Sequence, residues 1–355
     1  SRQSIAPMGL SSQGYNGHIF WDTELWMFPT LLVLQPEMAK SCLDYRSDRL
    51  AKAKQKASIY GYQGAMFPWE SDDTGEEATP TWALTGIFEQ HITADVSIAF
   101  WNYFAMTQNQ SWLRNEWEVL KQTANFWVSR AVENADGSYS IHNVVGADEY
   151  AQHVDDNAFT NASAIESLKN TIKAAKILNE KVNEEWIKVS EKLVIHKENG
   201  ITQNYKGYKG QMIKQADVNL LAYPLHIITD KEQIKKDLEY YADKIDKKDG
   251  PAMASGVLSV LYARLGDRDK AYEYFVKSYL PNSRPPFGVF SESANSNNPY
   301  FATGAGAMLQ AVIYGFGGVE QTDKGLQFNK GILPKKWKSL KIIGIGTDEK
   351  TITVN

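Results

Sequence analysis

Apolar residues return every three or four positions through long stretches of this chain, a spacing that predicts helices. The stretches run roughly from Glu37 to Tyr60, His91 to Met106, Trp112 to Val132, Ala158 to Leu178, Glu184 to Val194, Lys231 to Tyr241, Ala252 to Leu265, Lys270 to Ser278 and Ala305 to Tyr314. In Ala158 to Leu178 the positions Ile165, Leu168, Ile172 and Ala175 mark a core-facing stripe and not the alternation of a strand. Strand candidates are few. At the tail, Leu340-Lys341-Ile342-Ile343-Gly344-Ile345 and Lys350-Thr351-Ile352-Thr353-Val354 read as a β-hairpin around Gly346-Thr347-Asp348-Glu349. Two strands are marginal alone, so this piece must pack on the helices or on a further sheet.

Between the helices lie long polar loops: Ser11 to Asp22, Gly61 to Pro80, Asn134 to Asp156, Ile201 to Gln215 and Arg284 to Thr303. Loops of this length are uncommon unless they act, so function is expected where they converge. No repeat at a fixed short period and no low-complexity linker interrupts the pattern. Many helices alternating with such loops suit an all-α toroid better than a solenoid.

Composition narrows the class. With 43% hydrophobic and 23% charged residues in 355, the chain can bury a large core and is read as one large domain with at most an appendage. A formal net charge of -4 and no long basic run give no case for nucleic acid. The single cysteine, Cys42, excludes an intrachain disulfide and a cysteine-based metal site, and is read as a small buried side chain. No apolar run approaches the ~20 residues of a membrane span. The start, Ser1-Arg2-Gln3-Ser4, has neither an apolar signal core nor an initiator Met, so the front reads as processed, cut or engineered. Aromatic residues reach 12%, with 10 Trp and 18 Tyr, and aromatic-plus-acid loops suit a carbohydrate, whose C–H faces stack on rings while its hydroxyls pair with carboxylates and amides. Buried aromatics serve cores equally well.

Five loop segments could carry chemistry. Gly146-Ala147-Asp148-Glu149-Tyr150 is the best catalytic candidate: two adjacent acids are costly to ionise together, which can hold one of them protonated as a general acid requires. The alternative there is a surface turn, with Asp155 or Asp156 capping the next helix. In Gly14 to Glu24, Asp22 and Thr23 could cap a helix beginning at Leu25 or bind a sugar. In Gly61 to Ser71, Trp69 and Glu70 pair a stacking plate with an acceptor, whereas the acidic run Asp72 to Glu77 reads as solvated and lacks calcium-loop spacing. Lys214-Gln215-Ala216-Asp217 sets a cation and an amide before an apolar stretch. Phe290-Ser291-Glu292-Ser293 opens a loop ending in Gly304-Ala305-Gly306, whose glycines allow close backbone approach to a ligand. The six histidines show no ligand spacing, and serine-nucleophile and P-loop motifs are absent.

Taken together, His18-Ile19-Phe20-Trp21-Asp22-Thr23-Glu24, Gly64-Ala65-Met66-Phe67-Pro68-Trp69-Glu70-Ser71, Gly146 to Tyr150 and Lys214 to Asp217 resemble the signature loops of glycoside hydrolase family 65, from about Gly14 to Gly318 and in the expected order. The resemblance implies an (α/α)6 barrel over residues 1–325 with a small C-terminal β segment over 326–355, and neither metal nor cofactor. Glu149 resembles the general acid. Trp21 and Asp22 match the pair that holds the non-reducing glucose, Lys214 and Gln215 the polar pair on the same sugar, and Trp69 with Glu70 lies in a family loop. Two departures stand out: Ala147 replaces the usual proline, and the family's N-terminal β-sandwich is absent from this chain.

The family holds inverting phosphorylases and inverting α-glucosidases. A phosphorylase must host a dianion in its last loop, where Glu292 would repel phosphate. Glu292 suits a base that activates water opposite the acid, roughly 6.5–9.5 Å away in inverting enzymes, and the stretch from Asn298 to Gly306 lacks the histidine of the phosphorylases. The expectation is therefore an inverting exo-α-glucosidase acting on a kojibiose-, nigerose-, maltose- or trehalose-like glucoside. Its alternatives are a disaccharide phosphorylase, a non-catalytic carbohydrate-binding barrel, and one part of an enzyme completed by a β-sandwich domain or chain. A homodimer is possible, and both periplasm and cytoplasm stay open.

Overall fold

The computed structural model describes residues 2–9 and 14–355, so Ser1 and the head of the first candidate loop, with Ser11, Ser12 and Gln13, lie outside the described residues. Helices dominate, in close accord with the periodicity. Ala158–Leu178 begins where the Asn157 side chain accepts the amide of Thr160 and ends where Asn179 turns left-handed at φ 57°. The cap, worth about 1 kcal/mol, is thus Asn157 and neither Asp155 nor Asp156, whose carboxylates accept the amides of Asn143 and Ile141 across the preceding loop. Asp230, Asp267 and Asn183 cap Lys231–Ala242, Arg268–Lys277 and Glu184–Lys192 in the same way. The predicted stretch from Glu37 to Tyr60 is two helices, Pro36–Asp48 and Leu50–Ile59, parted at Arg49. Trp112 to Val132 likewise divides into Gln110–Asn115 and Trp117–Arg130.

One helical segment carries no period. Asp22–Met27 is a π-helical turn that runs into Phe28–Leu34 through Pro29. Pro29 has no N–H, which leaves the carbonyl of Leu25 without its helical donor. Gln310 Nε2 supplies one, at 3.0 Å from Leu25 O and 2.7 Å from Trp26 O. Gln310 closes Ala302–Gln310, so the first and last helices are bonded to each other. A Cβ on Gly306 would come within 2.5 Å of Trp26 O, and one on Gly304 within 2.9 Å of the Ala252 side chain. Those glycines permit helix contact, not the close approach of a ligand.

The expectation of an all-α chain is too strict: five two-stranded antiparallel ladders punctuate the described residues. The tail hairpin pairs Leu340–Ile345 with Lys350–Val354 and docks on the helices, with Gly346 N donating to Val33 O and Ile345 buried. The core is one large cluster, beside a small one of Ala6, Ile19 and Tyr45, and in the large one Ile92–Thr107 is buried on nearly every side and touches Ala158–Leu178 through a 2.6 Å Ser97–Ser167 hydroxyl bond. Among the described residues no helix is long and apolar enough to cross a membrane.

Candidate active site

Two loops are stitched together before they meet the site. Ile19 and Ser71 exchange backbone hydrogen bonds at 2.8 and 2.9 Å, which brings the ring of Phe20 edge-on to Trp69 at 4.9 Å and sets His18 Nδ1 2.7 Å from Glu70 Oε1. Burial pushes the Glu70 carboxyl up, and the His18 contact opposes it. The amides of Trp69 and Glu70 both donate to Glu77, which also pairs with Lys56. The end of the acidic run is therefore a half-buried brace for Trp69 and Glu70. Asp72, at its start, closes a turn over Thr74 and Glu76 as a solvated loop would.

The acid loop is clamped by the segment that follows Ile213. Gln215 Nε2 donates to Ala147 O at 2.8 Å, Asp148 N donates to Asp217 Oδ2 at 3.2 Å, and Lys214 N donates to Asp148 Oδ1 at 2.8 Å. Gly146 is required here, because a Cβ would fall 2.3 Å from the Asn157 amide that also holds Asp217. Burial lifts Asp148 to about 7, and the other carboxylate that raises it is Asp217. The buried Asp148 is thus an anchor of the loop, and burial is the main cause of its raised carboxyl. Glu149 itself is half-exposed and receives a 2.8 Å hydrogen bond from Lys214 Nζ.

Trp21, Asp22, Trp69, Glu70, Glu149, Lys214, Gln215 and Glu292 all line one cavity of about 600 Å³. Asp22 does not cap its helix. Thr303 Oγ1 donates to its Oδ1 at 2.6 Å, and burial, with Glu292 and Glu149 adding to it, raises the carboxyl to about 7. Thr23 is not a cap either, since its hydroxyl turns to Ile5 O. Trp21 is wedged against Trp26, Phe159 and the ring of His91. His91 is buried between Asp95 at 2.7 Å and Glu89 at 2.9 Å, and these carboxylates outweigh burial to keep its pKa raised. Burial also works against the Lys214 charge, but Glu149 and then Glu292 overcome it, so the ammonium is held in its charged form.

Three orphaned groups belong to residues of this cavity's walls. Gln215 Oε1, Trp69 Nε1 and Thr85 Oγ1 are buried with no partner among the described residues. Buried polar atoms are rarely left so.

Tyr15 is the residue that the motifs did not single out. Its hydroxyl donates to both Glu292 oxygens, at 2.7 and 2.8 Å. Burial and the Glu292 charge raise the phenol well above its ordinary range, so it remains a donor. The signal was its position in a glycine-flanked loop: Tyr15, Asn16 and Gly17 all take left-handed backbone conformations. The cavity also takes in Trp82 and Gln152, which lay outside the quoted motifs. Among the described residues no cluster of His, Cys, Asp and Glu has the arrangement of a metal site.

The profile of the glycosyl hydrolase family 65 central catalytic domain matches residues 1–210 and 202–282. A kojibiose hydrolase of Flavobacterium johnsoniae is 53% identical over 354 residues, 99% of this chain and 52% of that protein. A kojibiose phosphorylase of Thermoanaerobacter brockii is 34% identical over 400 residues, 95% of this chain and 50% of that protein. The chain therefore spans about half the length of these curated relatives. A solved structure from the human microbiome, named only provisionally as a kojibiose phosphorylase, superposes with a TM-score of 0.83 at 21% identity, over 99% of this chain and 57% of that one.

Proposed function

Because the chain belongs to glycoside hydrolase family 65, we propose that it is the catalytic part of an inverting exo-acting α-glucosidase, with kojibiose first among its small α-linked substrates. The observation that carries this reading is that Glu149 and Glu292, 143 positions apart by number, open onto the same cavity, each held by its own donor. Glu149 protonates the leaving oxygen while Glu292 draws a proton from a water that attacks the anomeric carbon from the opposite face, and β-glucose leaves. Tyr15 aims the base. Trp21 and Asp22 receive the non-reducing glucose with Lys214 and Gln215, and Trp69 with Glu70 meets the group that departs.

Hydrolysis is preferred to phosphorolysis because the cavity presents the Glu292 carboxylate to the attacking nucleophile, which repels a dianion and assists a water. The higher identity to a hydrolase than to a phosphorylase supports the same choice. We read residues 1–325 as an (α/α)6 barrel, a view supported by the bonds between its first and last helices, and residues 326–355 as an appended β segment.

A panel of α-linked glucose disaccharides, incubated with and without inorganic phosphate, tests the reading. Free glucose released at the same rate in both conditions is expected. Glucose 1-phosphate formed only with phosphate would make the protein a phosphorylase, and binding without turnover at any pH would make it a lectin-like barrel.

A further inference from the structure

The walls of the cavity grade from buried to open. Trp21 is 2% exposed, Gln215 2% and Asp22 7%, whereas Trp82 is 83% exposed. Of the large hydrophobic side chains that stand exposed among the described residues, Trp82 is the one that also lines this cavity. Phe287, at 88%, stands elsewhere. No ring and no hydrogen bond among the described residues holds the Trp82 indole.

The segment beneath it is nevertheless anchored. Ala78 N donates to Glu70 O at 2.8 Å, Thr79 Oγ1 donates to Glu77 Oε1 at 2.7 Å, and Ala83 N closes a turn on Pro80 O at 2.9 Å. Glu77 is the same carboxylate that accepts the amides of Trp69 and Glu70, so the segment leading to Trp82 is tied to theirs through Thr79. A side chain of this size left in water exposes an area of roughly 150–250 Å² that burial would stabilise. Here it stands at the mouth of a site whose floor takes a sugar.

In an exo-acting pocket the glucose to be released fills the floor and the remainder of the substrate points to the mouth. We propose that Trp82 is a specificity-determining residue, the platform on which the C–H face of the leaving sugar lies. This deepens the hydrolase reading and rests on it. It assigns the leaving group's binding to stacking on a surface that tolerates changes in hydroxyl pattern but not loss of the ring, while Glu70 reads the hydroxyls.

The test compares kojibiose with α-glucosyl fluoride, which carries the same glucose but no second ring, in wild type, Trp82→Ala and Trp82→Phe. Trp82→Ala should raise KM for kojibiose roughly tenfold with kcat within about twofold, leave the fluoride unchanged, and be largely restored by Trp82→Phe. Equal effects on both substrates, or none on kojibiose, would overturn the platform. Calorimetry separates this from the hydrolase reading: kojibiose titrated into Glu149→Gln should bind more weakly once Trp82→Ala is added, whatever the turnover, and equal affinity would again reject it. Wild-type protein inert on both substrates would count against hydrolysis alone.

Discussion

Tyr15 and Glu292 are joined by a bifurcated hydrogen bond, 2.7 Å to one carboxylate oxygen and 2.8 Å to the other, between residues 277 positions apart. The phenol fixes the direction in which the carboxylate's remaining lone pairs point, and a base that must meet a water in line with an anomeric carbon depends on that direction. Hydrogen bonds to charged groups contribute about 1.5–3 kcal/mol. Tyr15→Phe should therefore lower kcat roughly 10- to 100-fold with little change in KM, measured by steady-state kinetics on a disaccharide; unchanged kcat would remove Tyr15 from the machinery.

The acid and the base are separable by leaving group. Glu149→Gln should lose roughly 10²–10⁴-fold in kcat on a disaccharide, whose leaving oxygen needs a proton, and far less on α-glucosyl fluoride, whose leaving group does not. Glu292→Gln should lose activity on both. If Glu149→Gln were equally impaired on both substrates, its role as proton donor would have to be reassigned.

Asp22 couples the site to stability. Burial raises its carboxyl from 3.8 to about 7, so the folded chain holds that proton to higher pH than the unfolded chain does. The wild type therefore loses stability from this group as pH rises from about 4 to about 7. Asp22→Asn keeps an acceptor for Thr303 and carries no charge. Across that window its urea midpoint should gain on that of the wild type, while affinity for the sugar falls. Parallel midpoints at pH 5 and pH 7.5 would contradict the assignment.

Beneath Trp21, Arg46 and Glu24 form a buried pair at 2.7 Å, and Arg46 also donates to Phe20 O at 3.1 Å. Removing one partner leaves the other charge buried. Glu24→Ala should cost about 3–5 kcal/mol in chemical denaturation, and adding Arg46→Met should recover much of it. A double variant no more stable than the single one would argue that the pair does more than balance charge.

Helices such as Glu184–Lys192 were legible because they bury one face, and Ala158–Leu178 agrees to the residue. Of Asp22–Leu34 only a helix beginning at Leu25 was legible, because an apolar run broken only by Pro29 and Thr30 has no period and the carbonyls it leaves free are met by Gln310, nearly 300 positions later. The site residues were legible through the family's loops, since those loops carry the polar side chains that line the cavity. Tyr15, Glu77 and Trp82 were not, because their places come from what folding brings to them: the distant Glu292 to Tyr15, the nearby amides of Trp69 and Glu70 to Glu77, and the cavity to Trp82. Glycines 304 and 306 misled for the same reason, their missing side chains making room for Ala252 and Trp26.

The central claim, two carboxylates acting from opposite faces of one glucose with water between ring and base, fixes the configuration of the first product. Proton NMR of the anomeric region during the first minutes of α-glucosyl fluoride hydrolysis, which releases a single glucose, should record β-glucose appearing ahead of its mutarotation to α. Initial α-glucose would contradict the account.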